Sequence, residues 1–126
     1  MAGQPVVLVI DDEKPVREVL GRLLKSAGYQ VKLAENGVAA LQMMHAQSPP
    51  DVIVLDLMMP VMSGFEVLAA LRTHPGWSKI SVVVLTATMG YSAAHLQADS
   101  VLVKPFDLKT VKAAIDKALA AKPLAP

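Results

Sequence analysis

Residues 51–60 read Asp51-Val-Ile-Val-Leu-Asp-Leu-Met-Met-Pro60. Val52–Leu55 is an unbroken apolar run of strand length. A strand buried on both faces, as in a parallel sheet, has this pattern rather than alternation. Asp56 ends the run, which argues against a plain turn residue. In open α/β sheets, ligands sit at the carboxyl ends of the strands. The stretch therefore predicts a central parallel strand that delivers a carboxylate to a binding edge.

The same pattern recurs on either side. Val6–Ile10 is a second continuous apolar run and ends in Asp11-Asp12-Glu13. Gln30–Ala34 reads as another strand. Ile80–Leu85 leads into Thr86, and the short run Val101–Val103 leads into Lys104-Pro105. Helical patterns fill the gaps. Pro15 suits a first turn, Val16, Val19, Leu20, Leu23, Leu24 and Ala27 repeat at helical spacing, and Gly28 stops the helix. Asn36-Gly37 signals a turn before a helix over Val38–Gln47, closed by Pro49-Pro50. Ser63 with Glu66 is a capping box that opens a helix to about Thr73. A short helix is expected around Ser92–Gln97. Asp107 can cap a last helix with Leu108, Val111, Ile115 and Leu119 as its buried stripe. Strands alternating with helices at short connections predict an α/β fold, a single doubly wound parallel sheet of five strands flanked by five helices.

Composition agrees. A chain of 126 residues suits one domain, expected over residues 1–121, with residues 122–126 a frayed tail or the start of a linker. Its 53% apolar content supplies a core, and 18% charged residues argue against disorder. A net charge of +1 gives no field that points to nucleic acid or a membrane surface. The absence of cysteine excludes a disulfide scaffold, a thiol nucleophile and a thiolate zinc site. No apolar run approaches a membrane span, and the N-terminus lacks a basic signal-peptide region, so a cytoplasmic protein is expected.

The convergence of polar residues at one sheet edge carries the functional reading. Asp11, Asp12 and Asp56 repel one another and attract a hard divalent cation, for which magnesium is suited. A carboxylate beside such a metal can attack phosphorus and form an acyl phosphate. Phosphoryl transfer then needs positive charge and donors on the transferred oxygens, which Lys104 and Thr86 can supply. As a bland alternative, Asp11 and Asp12 merely cap the first helix, Thr86 is a routine strand residue and Lys104 is a solvated lysine. The set taken together favours the chemical reading.

The runs VLVIDDEKPVREVL, GYQVKLAENGVAAL, PDVIVLDLMMPVMSGFEVL, VVVLTA and VLVKPF resemble the response-regulator receiver family of two-component signalling, from about Pro5 to Leu119. The resemblance implies a flavodoxin-like sheet of order 2-1-3-4-5. It implies that Asp56 accepts a phosphoryl group from a phosphohistidine on a sensor kinase or phosphotransfer protein. It assigns Mg2+ to Asp11, Asp12, Asp56 and the backbone carbonyl of Met58. Lys104 contacts the phosphoryl oxygens and pairs with Asp56 at rest. Thr86 donates its hydroxyl and the Ala87 amide is a further donor. A cis bond before Pro105 is usual. The implied protein is a signalling switch, not an enzyme with turnover, that binds a downstream protein as a monomer or weak dimer.

Two departures from the family bear on output. Many receivers carry an aromatic residue three positions before the lysine, where this chain has Val101. Tyr91 is the nearby ring that can substitute. The interval from Thr86 to Lys104 is also shorter than the family's by about four residues, about one helical turn, so a truncated fourth helix flanked by Gly90 is expected. Ser63 stands where the family often has aspartate; both cap helices. A haloacid-dehalogenase-type phosphatase is a poorer reading, because Met58 stands where its second acid belongs. A flavodoxin-like flavin module is disfavoured by Asp11-Asp12-Glu13, which repel a flavin phosphate. A pseudo-receiver that binds partners without phosphorylation is the remaining alternative. His45, His74 and His95 are expected at the surface or its boundary. Met43, Met44, Met58, Met59 and Met62 are expected to pack, with the Met58 side chain overhanging the acidic pocket. Trp77 has no implied role.

Overall fold

The computed structural model describes residues 3–121. In chain order the elements are β1 (Val6–Ile10), α1 (Lys14–Ser26), β2 (Gln30–Ala34), α2 (Gly37–Ala46), β3 (Val52–Asp56), α3 (Gly64–Thr73), β4 (Ser81–Thr86), α4 (Ala93–Leu96), β5 (Ser100–Val103) and α5 (Leu108–Ala120). The five strands form one parallel sheet in the order β2-β1-β3-β4-β5. The expected tail at 122–126 lies outside the described residues.

Strand periodicity divides the core into two layers. Leu8, Ile10, Ile53, Leu55, Val82 and Val84 face Ala40 and Met44 of α2 and Val67, Leu68 and Leu71 of α3. The alternate residues Val7, Val9, Val52, Val54, Val83 and Leu85 face Leu20 and Leu24 of α1 and Val111, Ile115 and Ala118 of α5. Both faces of β1, β3 and β4 are thus covered, which is why their apolar runs do not alternate. Each fully buried aliphatic side chain contributes about 1.5–3 kcal/mol relative to exposure.

The caps set the helix starts. Asn36 accepts from the Ala39 amide at 2.8 Å, so α2 begins at Gly37, one residue before the expected Val38. Ser63 and Glu66 form the expected capping box. Asp107 accepts from the Thr110 amide at 2.7 Å. At α1 the cap position is Glu13, with no side-chain cap bond, so neither Asp11 nor Asp12 takes the cap position. Thr86, read as lying just past β4, is its last residue, because it pairs with Val103 of β5.

The fourth helix is a single turn, Ala93–Leu96. Left-handed residues flank it, Gly90 at φ +101° and Gln97 at φ +56°. The Arg72 guanidinium, from α3, holds its far end. It donates to the Gln97 carbonyl at 2.6 and 2.9 Å, and to the Ser78 and Ile80 carbonyls at 3.0 and 2.9 Å.

Trp77, to which the sequence assigned no role, lies in the turn after α3. It is 5% exposed and belongs to the core layer under α2 and α3. Its ring stacks on His74 at 3.8 Å and lies 4.7 Å from His45. Two histidines far apart in sequence therefore meet around it, at the helix C-terminal ends.

Candidate functional site

Two strand ends bring the acidic residues together. Asp11 follows β1, is 1% exposed, and its amide donates to the Ala34 carbonyl at the end of β2. Asp11 Oδ1 accepts from the Glu13 amide at 2.8 Å, which turns the chain into α1. Arg17 on α1 donates to the Asp11 carbonyl at 2.8 Å and fixes this turn from the helix side. Asp12 is exposed. Asp56 ends β3, is 4% exposed, and its Oδ1 accepts from the Met58 amide at 3.2 Å. One carboxylate oxygen from each of Asp11, Asp12 and Asp56 lies within 4.8 Å of the others. Such a set of hard oxygen donors suits magnesium.

Lys104 reaches in from the end of β5. Its amide donates to the Thr86 carbonyl at 2.7 Å, which ties it to the end of β4. Its Nζ lies 3.5 Å from Asp11 Oδ2, 3.5 Å from Glu13 Oε1 and 3.8 Å from Asp56 Oδ2. The expected pairing with Asp56 is present, but Asp11 and Glu13 lie closer. The Lys104-Pro105 bond is cis, as expected. Thr86 is fully buried, and its hydroxyl accepts from the Thr88 amide at 3.0 Å, which leaves its own proton free to donate. Ala87 follows it and is exposed. Both follow Leu85, the residue that β4 pairs with Asp56.

The electrostatics follow from this crowding. Burial, with the charge of Asp11 added, pushes the Asp56 carboxyl up to about 6, against the pull of Lys104 and the Met58 amide. Burial also raises the Asp11 carboxyl, opposed by the Glu13 amide and Lys104. Burial draws the Lys104 ammonium down, but Asp11, Asp56 and Glu13 outweigh it and hold the group above the ordinary lysine value. Three mutually close carboxylates facing one ammonium leave an excess of negative charge, which favours a divalent cation.

Sequence reasoning missed three contributors. Glu13 was read only as part of an acidic run, yet it is a partner of Lys104. Arg17 carries no sequence signal for its contact with Asp11. Gly64 had a signal, a glycine directly after a helix cap. A Cβ there would meet the Asp56 carbonyl oxygen and lie 2.6 Å from Leu57 Cα. The Gly64 amide also donates to the Leu57 carbonyl at 2.9 Å, so α3 begins pressed against the end of β3.

The rim is apolar. Met58 is 59%, Val61 80% and Met89 79% exposed. Val61 adopts φ +72°, and the Met62 amide donates to the Pro60 carbonyl at 2.8 Å across it. This is a tight γ-turn, strained for a β-branched residue. Tyr91 packs on Phe65 of α3 at 5.4 Å. Val101 is partly buried against the layer under α2 and α3.

The family model described as the response regulator receiver domain matches residues 7–116. The chain belongs to the response-regulator receiver family. Receivers of this family act in two-component signalling, and this chain is a signalling domain of that kind. It is 43% identical over 113 residues to the response regulator MprA of Mycobacterium leprae, covering 86% of this chain and 48% of that protein. The chain thus spans about half the length of the curated relatives it matches. Among solved structures, the chemotaxis protein CheY4 of Vibrio cholerae superposes with a TM-score of 0.85 at 30% identity, covering 93% of this chain and 100% of that one. The response regulator TrrA of Thermotoga maritima, solved in complex with Mg2+–BeF, superposes with a TM-score of 0.81 at 33% identity, covering 92% of this chain and 100% of that one. Among the described residues, no helix is long and apolar enough to cross a membrane.

Proposed function

We propose that this receiver domain, residues 1–121, accepts a phosphoryl group on Asp56 from the phosphohistidine of a sensor kinase or phosphotransfer protein. An Asp56 carboxylate oxygen forms the new bond to phosphorus as the phosphorus–nitrogen bond of the donor breaks. The imidazole leaves and regains a proton from solvent. The observation that carries this reading is the placement of a buried carboxylate, Asp56, within reach of both an ammonium and two further carboxylates. Asp11, Asp12, Asp56 and the Met58 carbonyl are the residues that would hold Mg2+, which supplies charge neutralisation for the phosphoryl oxygens. Lys104 holds a phosphoryl oxygen, the Thr86 hydroxyl and Ala87 amide donate to others, and the exposed Met58 side chain limits water at the acyl phosphate. The phosphorylated domain then binds a downstream protein, as a cytoplasmic monomer or weak dimer.

Intact-protein mass spectrometry tests the reading. With Mg2+ and a small acyl-phosphate donor, the protein is expected to gain a single phosphate, and to gain none after chelation. A wild-type protein that never gains phosphate, or gains it equally without a divalent cation, overturns the proposal.

A further inference from the structure

We propose that Glu13 is a positioning residue that restrains Lys104 and so sets how firmly the site holds an anion at the phosphoryl position. This rests on the phosphoryl-acceptor reading of Asp56. Lys104 Nζ has three carboxylate neighbours, Asp11 and Glu13 at 3.5 Å and Asp56 at 3.8 Å. They are not equivalent. Asp11 and Asp56 belong, with Asp12, to the cluster of mutually close oxygens that suits a cation, and Glu13 does not. A cation on that cluster offsets the charge by which Asp11 and Asp56 attract Lys104. Glu13 is then the neighbour whose pull is left intact. An ammonium has three N–H donors on a flexible stem, so a donor held by Glu13 is lost to the phosphoryl oxygens.

The Glu13 side chain is 60% exposed, so its hold is a restraint and not a lock. Its removal also leaves the fold intact. Glu13 occupies the cap position of α1 without a side-chain cap bond, and its backbone amide keeps the bond to Asp11 whatever side chain is present.

Calorimetric titration of the magnesium-loaded protein with beryllium fluoride, a tetrahedral phosphoryl mimic, tests this. Glu13→Gln is expected to bind the mimic about two- to fivefold more tightly than wild type. Glu13→Asp keeps the charge but is one methylene shorter, so it loses the contact and is expected to follow Glu13→Gln. Unchanged affinity in Glu13→Gln overturns the inference. So does a Glu13→Asp that behaves as wild type while Glu13→Gln tightens, because net charge rather than contact with Lys104 then accounts for the gain. A wild-type protein that fails to bind the mimic overturns the phosphoryl reading, and this inference with it.

Discussion

The edge formed by β1 and β3 differs from the edge formed by β4, α4 and β5 in how its geometry is held. At the first edge, Asp11 follows β1 and Asp56 ends the fully buried β3, and the register of the two strands brings them together. At the second, the helix has one turn, and contacts of long sequence separation fix its surroundings. Arg72 clasps Gln97, 25 residues away, and Phe65 meets Tyr91. Strand register is robust because a slip of one residue would turn an entire apolar face to the wrong side. Single side-chain anchors have no such redundancy. The acidic cluster thus sits on the edge held by sheet register, and the altered family features sit on the edge held by individual contacts, from which Thr86 and Lys104 reach toward the cluster.

Mutations at each edge can break or sharpen this contrast. The largest effect is expected at Gly64. Backbone atoms of Asp56 and Leu57 occupy the space of a Cβ, so Gly64→Ala is expected to cost about 3 kcal/mol in denaturant unfolding. A near-neutral result would show that α3 can slide along β3. Lys104→Ala is next. Loss of one charged donor is expected to slow phosphate incorporation on the order of a hundredfold, and a change below about threefold would remove Lys104 from the chemistry. Arg72→Ala leaves three carbonyls without their guanidinium partner and is expected to cost about 2 kcal/mol of stability while phosphate incorporation persists. Loss of incorporation in a folded Arg72→Ala protein would show that the two edges are not separable.

Asp56→Asn probes the electrostatics. The Asp56 carboxyl titrates near 6 in the fold, above its ordinary 3.8. Its protonated form is the one the fold favours, so its contribution to stability is complete below about 3.8 and is lost as pH rises through about 6. In metal-free protein, Asp56→Asn is therefore expected to be more stable than wild type by about 1–2 kcal/mol at pH 7, with the advantage gone by about pH 4. An advantage that persists at low pH would show that packing rather than charge is responsible. The smallest effect is expected at Val101, where truncation to Ala costs about 1 kcal/mol or less and leaves phosphate incorporation unchanged by the same mass measurement. A loss as large as that in Lys104→Ala would place Val101 in the site.

What could be read from the sequence follows the same division. Unbroken apolar runs report strands buried on both faces, and a polar residue directly after such a run reports the sheet edge. Asp11, Asp56, Thr86 and Lys104 were therefore legible without coordinates, and the short α4 was legible from the Thr86–Lys104 interval set against that of the resembled family. Long-range anchors were not. Arg72, Arg17 and the Glu13–Lys104 contact depend on where helices lie over the sheet, which local periodicity does not encode. The burial of Trp77, which lies in a turn, was not legible for the same reason. A turn position suggests exposure, but the ring folds back between α2 and α3 and gathers His45 and His74.

Phosphoryl acceptance by Asp56 is decided by intact-mass measurement of wild type and Asp56→Asn side by side, each with Mg2+ and the same small phosphodonor. A single phosphate on wild type and none on Asp56→Asn is the predicted result. An undiminished adduct on Asp56→Asn would contradict the account.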